Sequence, residues 1–272
     1  DPEGRERLFI FANRGPQGRI MYQSYSEDNG KTWTPFAPSR LSDGGVLGGG
    51  EKPAPTVMPF TAIVPVNDGQ ELLGATNLRR PGEDRPSNVL AVSRSGNGGL
   101  TWSAWEIILD LGEPFRPCEP DIIRSPDGRE LLMIVRENER SFNSWLMVSN
   151  NEGDSWSEPF QAPASVSMDR HQHQYAPDGR LVIAGRDTAE NSPTKGHFVA
   201  WVGTYDDLIQ GREGTYRIKL LPSEARAEYP ALEILPDGTF VATNTVKYPG
   251  AENYSVVSTR FKLEALDRRL PK

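Results

Sequence analysis

The sequence predicts an all-β propeller, and three observations carry that prediction. First, an eight-residue turn closing on tryptophan recurs as SEDNGKTW (26–33), SGNGGLTW (95–102) and SNNEGDSW (149–156). Second, a glycine hairpin signal between apolar runs recurs in step with it: EGRERLFIF from Glu3, NDGQELLGA from Asn67, PDGRELLMI from Pro126, PDGRLVIAG from Pro177 and PDGTFVATN from Pro236. Asp-Gly between apolar runs is a strong hairpin signal, because both central turn residues need positive φ. Third, glycine (26) and proline (23) punctuate short apolar runs, and no segment has a convincing helical period. Where both motifs occur, the tryptophan follows the hairpin turn by roughly thirty residues, so one repeat reads strand, Asp-Gly turn, strand, loop, strand, tryptophan turn, strand. Four strands in ~50 residues, repeated, make a propeller blade.

The repeats follow in order. The first, 1 to about 40, opens directly on its hairpin turn and lacks an inner strand, so residues upstream of Asp1 are expected. The second runs over 55–106, the third over 117–160 and the fourth over 169–211, where TYDDL (204–208) is a weaker fourth copy of the tryptophan turn. The fifth, 227–263, ends in YSVVSTRFKL (254–263), a long alternating strand suited to closing a ring against the first blade. GVLGGGEKPAP (45–55) is glycine-rich but has no strand-to-helix pattern, so it reads as a connection near the pocket mouth and not as a phosphate loop. The 272 residues are read as one domain, 1–272, truncated at its N-terminus.

Composition narrows the function. With 36% apolar and 25% charged residues the chain is an ordinary globular protein. No apolar run reaches the ~20 residues of a membrane span. A net charge of −7 argues against a nucleic-acid partner. Cys118 stands alone, so no internal disulfide forms and the compartment is left open; a secreted or periplasmic location fits. No cofactor and no metal are called for.

SEDNGKTW matches S-x-D-x-G-x-T-W at every position, and this resembles the Asp box of the sialidase (neuraminidase) superfamily; the other two copies carry Asn97 and Asn151 at the aspartate. The resemblance implies a six-bladed β-propeller of sialidase type, of which about five blades are visible here and the first lies upstream. It also makes the Asp box a bracing turn on the outer rim, away from the active site.

Counting eight residues back from the aspartate of each Asp-Gly turn gives Glu119, Arg170 and Tyr229 in the last three repeats, at strand starts expected to face a common pocket. CEPDIIRSPDGRELLMIVREN resembles the family's glutamate-led strand, Asp-Gly turn and terminal arginine, which implies Glu119 as the glutamate and Arg136 as a carboxylate-binding arginine. EYPALEILPDG resembles the segment that holds the nucleophilic tyrosine, which implies Tyr229, with Pro230 where serine is usual. A sialic acid carries a carboxylate on its anomeric carbon, so a neutral phenol attacks where a carboxylate would be repelled. With an ordinary pKa near ~10, that phenol needs a neighbouring base, here Glu119.

The family's first arginine and its acid/base aspartate are not found and are expected upstream. For the remaining arginine, Arg186 and Arg170 rank above Lys195. Arg14, Arg79 and Arg80 read as solvated loop residues. In DRHQHQY, His171, His173 and Tyr175 share a strand face and are suited to proton transfer or to a metal, or else simply fill space between blades. Glu119 and Tyr229 have plain alternatives too, as an ion-pair partner of Arg136 and as a packing residue. The expected activity is that of a retaining exo-α-sialidase acting on a terminal sialic acid or a related acidic sugar. The alternatives are a uronate polysaccharide lyase, with His171 or Tyr229 moving protons, and a non-catalytic carbohydrate-binding propeller.

Overall fold

The computed structural model describes residues 3–14, 20–48, 56–79, 88–112, 114–221 and 226–270. Arg80 and residues 49–55 of the glycine-rich connection lie outside them, and of Arg14 only the backbone is described. By its contacts the chain forms two compact units. One comprises Asp1–Ile122, Arg129–Met133 and Met147–Glu158; the other comprises Ile123–Gly128, Ile134–Leu146 and Pro159–Lys272.

The first unit begins with β1 (Leu8–Arg14), β2 (Ile20–Ser26) and β3 (Ala37–Pro38), joined in that order into one sheet. After β4 (Arg40–Leu41) come β5 (Thr56–Val57), β6 (Ala62–Val66), β7 (Glu71–Arg79), β8 (Asn88–Ser95), β9 (Thr101–Trp102) and β10 (Glu106–Leu109). The second sheet runs β10-β8-β7-β5, with β6 also pairing β7. β4 pairs in parallel with β9, setting Arg40 beside Thr101 and Leu41 beside Trp102. Phe60, Trp102 and Phe11 pack at the heart of this unit, with Phe60 4.3 Å from Trp102 and edge-on to Phe11 at 5.2 Å. β7 passes beneath as LLGATN because a Cβ on Gly74 would lie 2.4 Å from the Phe60 ring.

All three tryptophan turns lie in this unit, and each closes its hydrogen bonds inside eight residues. Ser26 Oγ accepts from the Gly30 N–H at 2.8 Å, Asp28 Oδ1 from the Thr32 N–H at 2.8 Å, and the Trp33 indole donates to Gly30 O at 3.1 Å. Ser95, Asn97 and Trp102 repeat these bonds at 2.9, 2.9 and 3.0 Å. Ser149 and Asn151 repeat the first two at 2.9 and 3.0 Å. An amide oxygen thus serves as well as a carboxylate. The turns differ in burial, Trp102 being fully buried and Trp33 40% exposed.

A four-stranded sheet follows as β11 (Pro117–Arg124), β12 (Leu131–Glu137), β13 (Trp145–Ser149) and β14 (Phe160–Gln161). In the second unit β15 (Met168–Tyr175), β16 (Leu181–Asp187), β17 (Phe198–Gly203) and β18 (Tyr216–Lys219) form the fourth sheet. The fifth comprises β19 (Arg226–Ile234), β20 (Phe240–Lys247) and β21 (Ser255–Phe261). β16 and β17 are apolar almost throughout because both faces are covered, and Val182, Phe198, Ala200, Phe240 and Leu263 share one core. β21 alternates mostly exposed and partly buried positions along its pairing with β20, as the third strand of this sheet.

Among the described residues two five-residue α-helices accompany the strands, α1 (Tyr205–Ile209) between β17 and β18 and α2 (Leu263–Asp267) after β21. TYDDL is therefore not a fourth tryptophan turn. Thr204 accepts from the Asp207 N–H at 3.1 Å and Asp207 accepts from the Thr204 N–H at 2.8 Å, a reciprocal cap that starts α1 between β17 and β18. Among the described residues no helix is long and apolar enough to cross a membrane.

Candidate active site

The fourth sheet builds a cluster of charge in the second unit. β15 carries a bulge between Asp169 and Gln172, and its register sets Asp169 directly opposite Arg186 of β16. Asp169 is 1% exposed. Its Oδ2 accepts from Arg186 Nε at 2.8 Å and Nη2 at 2.5 Å. Arg140 approaches from the loop after β12, with Nη1 2.5 Å from Oδ1 and Nη2 2.8 Å from Oδ2. Arg136, at the end of β12, places Nε 2.7 Å from Oδ1, an ion contact whose N–H direction falls outside hydrogen-bond geometry. Three guanidiniums thus converge on one carboxylate.

Local chemistry aims these arginines. Buried Glu137 accepts from the Glu139 and Ser141 N–H groups, both at 3.1 Å, and folds the loop so that Arg140, at φ 65°, turns back onto the cluster. Arg136 Nη2 donates to Asn138 Oδ1 at 2.7 Å, and Arg186 Nη1 donates to Glu228 Oε2 of β19 at 3.1 Å. Burial pushes the Asp169 carboxyl up, but the hydrogen bond from Arg140 and the charges of Arg136, Arg140 and Arg186 outweigh it and hold the group below the usual carboxylate range.

A cleft of about 440 Å³ opens beside the cluster, lined among others by Arg140, Asp169, Arg186, Asp187, Lys195 and His197. The loop that brings Lys195 and His197 there is pinned by Asp187. That carboxylate accepts from the Ala189 N–H at 3.0 Å, Ser192 Oγ at 2.5 Å and Thr194 Oγ1 at 2.7 Å, and pairs with Arg217 at 3.2 Å.

The residues singled out from sequence fall as follows. Arg136 and Arg186 meet on Asp169, and Lys195 stands exposed on the cleft loop. Arg170 lies over the ring of Tyr229 with its guanidinium carbon 6.0 Å from the centroid, and Tyr229 is 56% exposed. Glu119 lies in the first unit on β11, 5% exposed at φ 50°, its N–H donating to Asn77 Oδ1 at 3.1 Å. His171 is fully buried; its Nε2 lies 3.0 Å from Val166 O and 3.3 Å from Ser144 Oγ. The bulge breaks strict alternation on β15, which is why His171 turns into the protein. Tyr175 donates to Arg124 O at 2.8 Å, and burial pushes its hydroxyl far up. Sequence reasoning missed Arg140, Glu228 and the central role of Asp169. Asp169 was one residue from the position picked out by counting, whereas Arg140 depends on a loop conformation that no spacing reveals. Among the described residues no three His, Cys, Asp or Glu side chains stand close enough to hold a metal ion.

Blade sheets with tryptophan turns, and a guanidinium-lined cleft at the strand ends of one unit, define a propeller of the sialidase type. The chain belongs to the BNR repeat-like domain family, which matches residues 1–240. No curated protein matches the sequence. Among solved structures, the leech intramolecular trans-sialidase complexed with 2,7-anhydro-Neu5Ac is similar over 92% of this chain and 37% of its own, at 15% identity and a TM-score of 0.68. The intramolecular trans-sialidase from Ruminococcus gnavus, in complex with oseltamivir carboxylate, is similar over 91% and 51%, at 15% identity and a TM-score of 0.66. The α-L-arabinanase from Penicillium chrysogenum, complexed with arabinobiose, is similar over 93% and 78%, at 14% identity and a TM-score of 0.59. At these identities the likeness is one of fold, and this chain spans 37% and 51% of the two trans-sialidases.

Proposed function

We propose that the protein is a glycoside hydrolase acting on a terminal acidic sugar of the sialic acid kind. The observation that carries this reading is the surplus of positive charge at the cleft. Arg136, Arg140, Arg186 and Lys195 contribute four charges and Arg217, paired with Asp187, a fifth, against three from Asp169, Glu228 and Asp187, which leaves two. A sugar carboxylate entering there meets guanidinium and ammonium donors suited to charge-assisted hydrogen bonds. Tyr229 belongs to the same network through its chain neighbour Glu228, which holds Arg186, and through Arg170, which follows Asp169.

In this reading the Tyr229 oxygen attacks the anomeric carbon. Its proton passes to a base, and the glycosidic oxygen leaves with a proton from an acid group. Water then hydrolyses the tyrosyl-sugar bond, so the anomeric configuration is retained. The lyase alternative loses His171 as a proton carrier, because that ring has no exposed surface.

One observation favours a second reading, hydrolysis of a neutral sugar. All three nitrogens of Arg186 and both terminal nitrogens of Arg140 are already engaged by protein carboxylates. A fluorogenic sialoside and a fluorogenic arabinoside, assayed with the 272-residue chain and with a form extended before Asp1, separate the two. Sialoside cleavage that falls about 10³-fold or more in Tyr229→Phe is expected. Arabinoside cleavage alone, or undiminished sialoside cleavage in Tyr229→Phe, refutes the acidic-sugar reading.

A further inference from the structure

Arg170 is unusual on three counts. It lies within a strand at φ 55°, in the left-handed region that side chains other than Asn and Asp seldom adopt. Backbone strain of this kind persists where the surroundings impose it, typically at functional sites. Its guanidinium stands over the Tyr229 ring. And among the described residues no carboxylate pairs with it, in contrast to Arg136, Arg140 and Arg186, which all share Asp169.

The other charged and titratable groups on the elements around Tyr229 are spoken for. Arg186 of β16 is bonded to Asp169 and to Glu228, the residue before Tyr229. Lys247 of β20 lies over Tyr254 at 5.6 Å. On β15, His171 is held at Val166 O, and His173 is in register with Ile183 of β16. Among the described residues, the cation that the structure places over the Tyr229 ring is Arg170.

We propose that Arg170 is a positioning residue for Tyr229: its guanidinium, 6.0 Å from the ring centroid, fixes the ring by a cation–π contact and so sets positive charge against the phenol that loses its proton. This deepens the reading of Tyr229 as nucleophile and moves Arg170 out of the set that grips the substrate carboxylate. The contact is within the ~6 Å range of energetically useful cation–π pairs.

The test reads Tyr229 without substrate. Protein labelled at the tyrosine ring carbons is titrated by NMR, and the Tyr229 resonance is identified by its loss in Tyr229→Phe. Tyr175 and Tyr216, both pushed up by burial, the latter to about 12, stay clear of the window. Arg170→Gly removes the side chain while relaxing the backbone, so it is expected to melt no lower than wild type. Its Tyr229 midpoint is expected to rise by roughly half a pH unit, as for a charge removed from a solvated site at this distance, with Arg170→Lys in between. An unchanged midpoint in Arg170→Gly overturns the proposal. Sialoside turnover in the same proteins keeps the two readings apart: a shifted midpoint with no turnover removes the glycosidase and leaves the coupling, and turnover with no shift removes the coupling alone.

Discussion

Replacing Asp169 by asparagine is the sharpest probe of the cleft. The carboxylate is 1% exposed and receives five contacts from three guanidiniums, one from Arg136, two from Arg140 and two from Arg186, at 2.5 to 2.8 Å. An asparagine keeps the shape but leaves three cations, with side chains 13%, 35% and 11% exposed, facing a neutral amide whose NH₂ cannot accept. Removing one partner of a buried ion pair costs about 3–5 kcal/mol. At about 2–4 °C per kcal/mol for a chain of this size, the thermal midpoint falls by roughly 6–20 °C at neutral pH. The pH dependence has a definite sign. Asp169 titrates lower in the folded protein than its ordinary 3.8, so its contribution is fully present above about pH 4 and fades as pH falls through the folded value. The gap between wild type and Asp169→Asn, followed by circular dichroism melts, should therefore narrow under acid. A gap under about 2 °C at neutral pH, or one that widens as pH drops, would show that the cluster does not hold the sheet as described.

Three further outcomes follow from the turns and the core. Asp28→Asn should leave the neutral-pH melt nearly unchanged, since Asn97 and Asn151 make the same bonds; but hydrogen bonds from the Thr32 hydroxyl, the Thr32 N–H and Ser26 hold Asp28 at about 2, so the variant should lack the stability loss that wild type suffers between about pH 4 and pH 2. Trp102→Ala should cost about 3–5 kcal/mol in urea unfolding and Trp33→Ala under about half of that, because the first ring is fully buried and the second 40% exposed; equal costs would mean that the turn bonds, not the packing, set the energy. Gly214→Ala should destabilise by upwards of ~1 kcal/mol, with a φ of 79° and a Cβ that would lie 2.5 Å from the Trp201 ring, and a neutral melt would count against that packing.

Much of the fold was legible because turn chemistry is local. Asp or Asn before glycine with a serine two residues back determines a turn within eight residues, and the tryptophan closes it, so the repeats and most strands could be placed by reading alone. TYDDL misled because a Thr-x-x-Asp cap and a Ser-x-Asp turn use the same residue types, and what separates them is the missing glycine, replaced by Leu208, and the missing closing tryptophan. The site was legible in part. Counting back from Asp-Gly turns picks out Arg170 and Tyr229, which the structure sets one over the other, but strict alternation fails at the β15 bulge, which buries His171 and brings Asp169 against Arg186. Arg140 was out of reach because its place depends on buried Glu137 capturing two loop amides, a tertiary event without a sequence period.

The parallel pairing of β4 with β9 has a mechanical consequence. Repeats that contact only their neighbours through generic packing can detach one at a time, as solenoid arrays do. Here Leu41 is in register with Trp102, and the Ser42 N–H donates to Trp102 O at 2.9 Å, so the tail of the first repeat is stitched to the indole-bearing turn of the second. Pulling or proteolysis that frees residues 39–47 must also open the packing around Trp102, and the two repeats yield in one step.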